Sequence, residues 1–409
     1  MIPKPAINKP ILLLALLGLM AFLYQVPYLF SGKAGDDFRI YYDAAVRFHG
    51  SKLALYDMAS RGFDQYLYPP PCILLFSLLT LLPLKAAYYL FIAVIFSCFF
   101  IAMDVWRKIV DVEAFAKTSR LNNILLNVFL ASSAMVIHNL VMGQVNVLVL
   151  LLCVLFVRLS SRQPFTAGAM LALAVWLKLY PVVMVFWAAG ARDGRKSIVW
   201  GIISGIAIAL LLLPVLPIGL YADFLHKLKE ISSYTSAHII NQSLSAFLYR
   251  MNAGYEQFFN WPNVYFIPFW IKVTNLVAVV LSILFFAKAG MGKMTNEVRS
   301  AFFMVLIPVF STLGWGHSFI FVAPLLFLCY RQCLISGTAP RRFKAILSAT
   351  ACLFLIPVHN TPVFLQRLPL FVQNFYYSRF LLLSLCFLIA LVFCSRESAG
   401  LKSGSLTQN

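Results

Sequence analysis

Long, uninterrupted runs of apolar residues dominate this chain and limit what it can fold into. The runs Ile11–Phe30, Leu84–Val105 and Tyr376–Cys394 approach or exceed the roughly 20 residues that a helix needs to cross the hydrocarbon core of a bilayer. Each run is continuously apolar rather than alternating, which excludes membrane-spanning strands. We therefore predict an all-α, polytopic integral membrane protein.

The composition agrees with this prediction. Of the 409 residues, 61% are hydrophobic and 11% are charged, whereas a soluble domain is about half apolar and about a quarter charged. The formal net charge of +19 comes from basic residues in short segments between apolar runs, where they orient a membrane protein. Binding to nucleic acid is disfavoured, because no basic run lies outside these segments. The cysteines lie in or beside apolar runs, so we predict no disulfide.

The first apolar run is predicted to be a retained membrane helix. It is longer than the roughly 7–15 residues of the apolar region of a signal peptide, and no A-x-A-like cleavage site follows it.

Short basic loops predict the orientation of the chain, because such loops remain in the cytoplasm. Three loops qualify: Ala191–Lys196, Lys288–Arg299 and Arg331–Lys344. The opposite side then holds two long and two short loops: Ser31–Pro69, Tyr221–Pro262, Trp315–Ser318 and His359–Ser378. We expect one integral membrane domain over residues 1–409, with about twelve spans, external loops 31–69 and 221–262, and a cytoplasmic tail 396–409.

Two stretches leave the count of spans open. Pro70–Val105 fits one broken crossing or two crossings divided at Pro83. Phe165–Ala189 fits one helix or two half-helices broken at Lys178–Pro181.

The first long loop is unusually acidic. Five of the 14 acidic residues lie there: Asp36, Asp37, Asp43, Asp57 and Asp64. The spacing of Asp37, Tyr41 and Ala45 predicts an amphipathic helix at the membrane surface. Aspartates at its start could cap that helix. Alternatively, a carboxylate just outside the first span could remove a proton from a substrate hydroxyl as a general base.

Polar residues within apolar stretches are candidate functional residues, because they are costly in lipid. His138 and Asn139 precede Gln144 and Asn146 in one such stretch. Lys178 could extend its ammonium group to the membrane interface or hold a phosphate as a point charge.

A series of motifs, in chain order, resembles glycosyltransferase family 87. The motifs are Asp37-Phe38-x-x-Tyr41-Tyr42-x-Ala44-Ala45, Gly50, Leu55-Tyr56-Asp57, Tyr68-Pro69-Pro70, Gly143-Gln144-Val145-Asn146, Leu177-Lys178-Leu179-Tyr180-Pro181 and Asn241-Gln242-Ser243-Leu244. The stretch Ser311–Ser318 departs from the S-P-x-S-W-x-H-H that the family often shows. Trp315 and His317 remain there, whereas the second histidine does not.

The resemblance implies a GT-C membrane fold with amphipathic helices in the first external loop. It also implies an inverting enzyme that moves a sugar, typically mannose, from a polyprenyl-phosphate donor to a hydroxyl of a lipid-linked or glycan acceptor outside the cytoplasm. The expected location is the plasma membrane of a bacterium, with the active site facing outward. The chain has neither a glycine-rich nucleotide-binding loop nor a D-x-D motif, so no cofactor and no metal is expected.

Under this resemblance Asp37 is the expected base, with Asp36 as the second choice. Lys178 and His317 are expected near the donor phosphate or sugar. Asn241 and Gln242 are expected to hydrogen-bond sugar hydroxyls. The remaining residues expected to bind donor or acceptor are Trp315, Tyr41, Gln144 and Asn146.

Two other functions are also compatible with a chain of many membrane spans. A transporter or lipid flippase would leave the acidic loop unexplained, and the chain shows no inverted repeat. A non-catalytic scaffold predicts that the polar residues within the spans are dispensable.

Overall fold

The computed structural model describes residues 8–56, 65–110, 120–191, 194–259, 263–289, 295–331, 350, 352–356 and 367–389. Over these residues the chain is predominantly helical. The helices of the first half are α1 (Lys9–Phe30), α2 (Asp36–Gly50), α3 (Cys72–Leu79), α4 (Leu84–Val110), α5 (Arg120–Ala131), α6 (Ala134–Met142), α7 (Asn146–Leu159), α8 (Pro164–Leu177) and α9 (Met184–Gly190). Those of the second half are α10 (Gly194–Leu212), α11 (Ile218–Ile231), α12 (Leu244–Arg250), α13 (Phe269–Ala289), α14 (Asn296–Phe310), α15 (Ala323–Tyr330), Leu370–Tyr377 and Arg379–Ile389.

Among the described residues, fewer helices are long and apolar enough to cross a bilayer than the sequence predicts for the whole chain. Within the described residues three helices, α1, α4 and α10, are long and apolar enough. The number rises to five if α5 with α6, bent by 52°, and Leu370–Tyr377 with Arg379–Ile389, bent by 67°, each form one span. The prediction of about twelve spans is therefore not confirmed. Helix breaks divide several of the predicted spans into pieces of 10–17 residues.

Both ambiguous stretches are broken, and prolines lie beside each break. Helix α8 ends at Leu177, Lys178 is extended, and a 3₁₀ turn over Tyr180–Val183 leads into α9. The other stretch divides just before Leu84, so that α3 and α4 are separate helices. A proline has no backbone N–H and clashes with the preceding turn, which explains why neither stretch continues as one helix.

The bundle has a basic end. The hydroxyl of Ser197 at the start of α10 donates to the carbonyl of Ser160 after α7 at 3.1 Å. The indole of Trp187 in α9 donates to Asn296 at the start of α14, also at 3.1 Å. The basic residues beside these contacts are Arg158, Arg162, Arg195, Lys196 and Arg299. The start of α7 and the end of α8 lie at the opposite end, because these helices are antiparallel neighbours joined by a short turn.

Helix α2 is the amphipathic helix that the sequence predicts. Its buried face carries Phe38, Tyr41, Ala44, Ala45 and Phe48. The helix packs against the junction of α6 and α7, where the backbone N–H of Gly35 donates to the carbonyl of Val141 at 2.7 Å. Gly143 adopts a left-handed conformation with φ of +67°, and a Cβ there would lie 2.6 Å from the Cβ of Phe38. Both the left-handed backbone and the close contact with Phe38 therefore require glycine at this position.

The segment between α10 and α13 carries α11, α12 and a small antiparallel sheet. Strand β1 (Tyr234–Thr235) pairs with β2 (Tyr265–Phe266), with Tyr234 opposite Phe266. Further along, the N–H of Gln242 donates to the carbonyl of Gly314 at 2.7 Å, and the N–H of Gly316 donates to that of Ile240 at 2.9 Å. These bonds join the second loop to the segment that contains Trp315.

Arg250 fixes the second loop to the last helices. It is 2% exposed, and its Nη1 donates to the carbonyl of Asn241 at 2.8 Å. Its Nε donates to Asn374 at 2.8 Å and its Nη2 to the hydroxyl of Ser378 at 2.7 Å. Burial lowers the pKa of Arg250 to about 9, which still leaves the guanidinium charged at neutral pH. A charge without water needs such a complete set of acceptors.

Some predictions lie outside the described residues. They concern Asp57, Asp64, the basic residues Arg341, Arg342 and Lys344, and the tail 396–409.

We expect the substitution Arg250→Met to destabilise the fold strongly. It removes the charge and leaves several buried carbonyl and amide groups without their donor, which together cost about 3 kcal/mol or more. Thermal unfolding in detergent measures the effect. Arg39→Met, at an exposed position, serves as the control and should leave the midpoint nearly unchanged. Equal midpoints for the two variants would contradict the role given to Arg250.

We expect the basic end to face the cytoplasm. In a background without native cysteines, Ser161→Cys places a thiol at the exposed turn after α7, and Ser232→Cys places one at the exposed end of α11. An impermeant maleimide applied to intact cells should label Cys at position 232 and not at 161, while permeabilised cells should be labelled at both. The reverse pattern would invert the orientation.

Candidate active site

One large cavity collects most of the residues that the sequence singles out. Its volume is about 1110 Å³, which exceeds the roughly 300–1,000 Å³ of an ordinary small-molecule pocket. Helix α2 forms one wall and α11 another. The lining residues named in the sequence analysis are Asp36, Asp37, Tyr41, His138, Gln144, Lys178, Trp315 and His317.

Asp37 lies in the first turn of α2, half-buried, with its carboxylate on the cavity wall. The carboxamide Nε2 of Gln144 donates to its Oδ2. Asp36 also lines the cavity but is exposed. The N-cap residue of this helix is Gly35, and both aspartates lie in the first turn, where a negative charge also stabilises the helix.

Gln144 lies at the centre of the polar cluster. It follows left-handed Gly143 at the end of α6, and it is 3% exposed. Its Oε1 is 2.9 Å from the hydroxyl of Tyr41 and 3.3 Å from the ammonium of Lys178. The oxygen of this side chain and one of its two N–H groups are thus directed at protein groups.

The helix break after α8 presents Lys178 to the same cavity. Its Nζ donates to Asn146 Oδ1 at 2.8 Å as well as to Gln144. The rings of Tyr68 and Tyr180 each lie 5.1 Å from Nζ, within the range of a cation–π contact. An ammonium has three N–H donors. Protein groups of the described residues use two of them, so one is available to an oxygen of a ligand in the cavity.

Tyr41 and Tyr68 complete the cluster from the first loop. Their hydroxyls are 2.6 Å apart, and that of Tyr68 is 3.4 Å from Gln144 Oε1. Burial raises the pKa of Tyr41 well above its usual value. Its phenol therefore keeps its proton and acts as a hydrogen-bond donor.

His317 is deeply buried at the edge of the cavity. It is 3% exposed, and neither ring nitrogen has a hydrogen-bond partner among the described residues. Its ring stands edge-on to that of His138, with centroids 5.2 Å apart. Asn139 fixes the backbone by donating to the carbonyl of His317 at 2.7 Å. An unpartnered imidazole at a cavity wall is well placed to bond a polar ligand.

Three of the expected binding residues do not line the cavity. Asn241 and Gln242 are fully buried, and backbone groups occupy their carboxamides. Gln242 donates to the carbonyl of Ile239 at 2.6 Å and accepts from the N–H of Phe380 at 3.0 Å. Asn146 is also fully buried, with its Oδ1 facing Lys178. These side chains hold the framework of the cavity, in contrast to the direct sugar contacts expected of Asn241 and Gln242.

Other cavity residues were not assigned a role from the sequence. Tyr68 and Tyr180 lie within the motifs that carry the family resemblance, so a signal existed for both. His238 had none, since its place on the wall depends on the distant Arg250. Burial and the charge of Arg250 lower the pKa of His238 to about 4, so its imidazole is neutral at neutral pH. The N–H of Ile240 donates to its Nδ1 at 3.3 Å.

The arrangement places an acidic and a basic group at one cavity. Asp37 can accept a proton, and Lys178 can stabilise an anion. One carboxamide, that of Gln144, separates the two. Within the described part of the chain, no group of three or more histidine, cysteine, aspartate or glutamate side chains could hold a metal ion.

Comparison with known proteins identifies the family. No curated protein and no solved structure matches the chain. The model of glycosyltransferase family 87 matches residues 66–308, which is more than half of the chain. The match includes Tyr68, Gln144 and Lys178, begins after Asp37 and ends before His317. Several of the family motifs contribute residues to one cavity, and the family model matches more than half of the chain. The chain therefore belongs to glycosyltransferase family 87 and is a glycosyltransferase.

Proposed function

We propose that this glycosyltransferase moves a sugar, mannose in the first instance, from a polyprenyl-phosphate donor to a hydroxyl of a lipid-linked or glycan acceptor on the non-cytoplasmic side of the membrane. The fold proposed for it is of the GT-C type. The observation that carries the proposal is the cavity itself, where the carboxylate of Asp37 and the ammonium of Lys178 are joined through Gln144.

The proposed reaction is a single displacement at the anomeric carbon. Asp37 accepts the proton of the acceptor hydroxyl, whose oxygen forms the new bond to that carbon. The bond from the carbon to the phosphate oxygen breaks, and its electron pair leaves with the polyprenyl phosphate. The departing group changes from a phosphodiester to a monoester and gains negative charge. Lys178 stabilises this charge, and Asp37 later releases its proton to water.

The direct attack of the acceptor inverts the anomeric configuration. In such a displacement the attacking hydroxyl oxygen and the leaving phosphate oxygen lie on opposite faces of the anomeric carbon. The neutral donors His238 and His317 and the ring of Trp315 lie on the remaining walls, where a sugar would be held. A lipid donor also explains why the catalytic groups lie at the end of a bundle of apolar helices.

The orientation proposed here has the cavity outside the cytoplasm. The basic turns after α7 and before α10 lie at the far end of the bundle from the cavity, which favours this arrangement. For a bacterium, the membrane concerned would be the plasma membrane.

The direct test supplies purified protein with radiolabelled polyprenyl-phosphate mannose and a membrane lipid extract as acceptor. Label should pass into an acceptor in a time-dependent manner. Polyprenyl-phosphate glucose, offered in parallel, tests the choice of sugar. Absence of transfer from every polyprenyl-phosphate sugar would overturn the proposal.

We predict that Asp37→Asn expresses and inserts normally but loses about 100- to 10,000-fold in transfer rate, the usual contribution of a general base. The substitution keeps the size of the side chain and removes its basicity. Asp36→Asn, one position away and more exposed, is the matched control and should retain most of the activity. A reversed result would make Asp36 the base.

We predict that Lys178→Met raises the KM for the donor, because the donor phosphate loses its cation, while the protein remains folded. Lys272→Met is the control, since Lys272 lies outside the cavity, with its ammonium 4.6 Å from the ring of Phe266. Donor titrations of both variants give the comparison. An unchanged donor KM in Lys178→Met would mean that the lysine does not bind the phosphate.

A further inference from the structure

We propose that Gln144 is a positioning residue: it holds the base Asp37 in its reactive orientation and fixes the distance from Asp37 to Lys178. This inference rests on the proposed function and assigns to Gln144 a different role from the substrate contact expected from the sequence.

The orientation of the Gln144 carboxamide is determined by its neighbours. An ammonium can only donate hydrogen bonds, so the atom 3.3 Å from Lys178 Nζ must be the oxygen. The hydroxyls of Tyr41 and Tyr68 converge on the same oxygen, at 2.9 and 3.4 Å. The nitrogen then faces the Asp37 carboxylate and donates to it. A flipped carboxamide would place an N–H against the ammonium and an oxygen against the carboxylate.

The backbone holds Gln144 in place. Its N–H donates to the carbonyl of Asn139 at 2.9 Å, and the left-handed Gly143 immediately precedes it. Helix α7 begins two residues later, at Asn146, which is the other partner of Lys178. The two acceptors of the ammonium therefore come from one rigid turn, and so does the donor to the base.

This geometry has two chemical consequences. A hydrogen bond from Gln144 Nε2 stabilises the ionised form of the carboxylate, which is the form a general base needs. The same side chain also holds the ammonium through its Oε1. Loss of the carboxamide should therefore disturb the base and the phosphate site together.

The test is the pH profile of kcat/KM for Gln144→Met, which keeps the length of the side chain and removes its hydrogen bonds. The acid limb reports ionisation of the base in the free enzyme. Without the amide donor the carboxylate is less stable, so this limb should move to higher pH by about one to two units. We also expect kcat to fall at least about tenfold at neutral pH. A merely structural defect would lower activity without moving the limb.

A second variant and a matched control accompany this measurement. Gln144→Glu keeps the shape and places a carboxylate beside Asp37, so the acid limb should again move upward, because two carboxylates sharing one site resist joint ionisation. Gln242→Met removes an equally buried glutamine that does not line the cavity. It should lower the unfolding temperature and leave the acid limb in place.

The outcomes separate this inference from the proposed function. If the wild-type protein transfers sugar and the acid limb of Gln144→Met and Gln144→Glu stays at the wild-type pH, Gln144 does not position the base and the inference fails. If Gln242→Met moves the limb equally, the effect is not specific and the inference fails as well. If the wild-type protein transfers no sugar from any polyprenyl phosphate, the proposed function fails first.

Discussion

The arrangement of the site depends on the ammonium of Lys178, a charged group within a chain that is mostly apolar. Removing such a group from water is costly, so the protein must supply partners for it. The break after α8 directs Lys178 towards the turn that begins α7. The acceptors of Gln144 and Asn146 and the faces of two tyrosine rings then replace the missing water. Gln144, occupied on its oxygen side, directs its nitrogen to Asp37. The base and the cation are in this way parts of one network.

The features that could be predicted from the sequence are those determined by residues close together in the chain. The spacing of Asp37, Tyr41 and Ala45 predicted α2, because one helical face requires only a few turns of chain. Pro181, close to Lys178, predicted a break there as one of two alternatives, and the structure shows it. The membrane character followed from runs of apolar residues, and the family from motifs in chain order. Each of these signals can be read within a short window.

Features that depend on distant contacts could not be predicted. Asn241 and Gln242 lie in a motif of the family and were expected to bind sugar, yet their carboxamides hold the backbone of facing segments. His238 carries no local signal, because Arg250 and the C-terminal helices bring it to the cavity. Hydropathy alone also does not reveal where a long apolar run bends, which is why the predicted number of spans exceeds the number of long helices described.

The anchoring of Arg250 has a consequence for biosynthesis. The described residues that line the cavity all precede residue 318, whereas two partners of Arg250, Asn374 and Ser378, leave the ribosome after them. Until those residues insert, a buried guanidinium on the second loop lacks two of its five acceptors. The wall that carries His238 can therefore reach its final position only after Asn374 and Ser378 have been synthesised. A chain that ends before Asn374 would hold the catalytic groups without a finished enclosure around them.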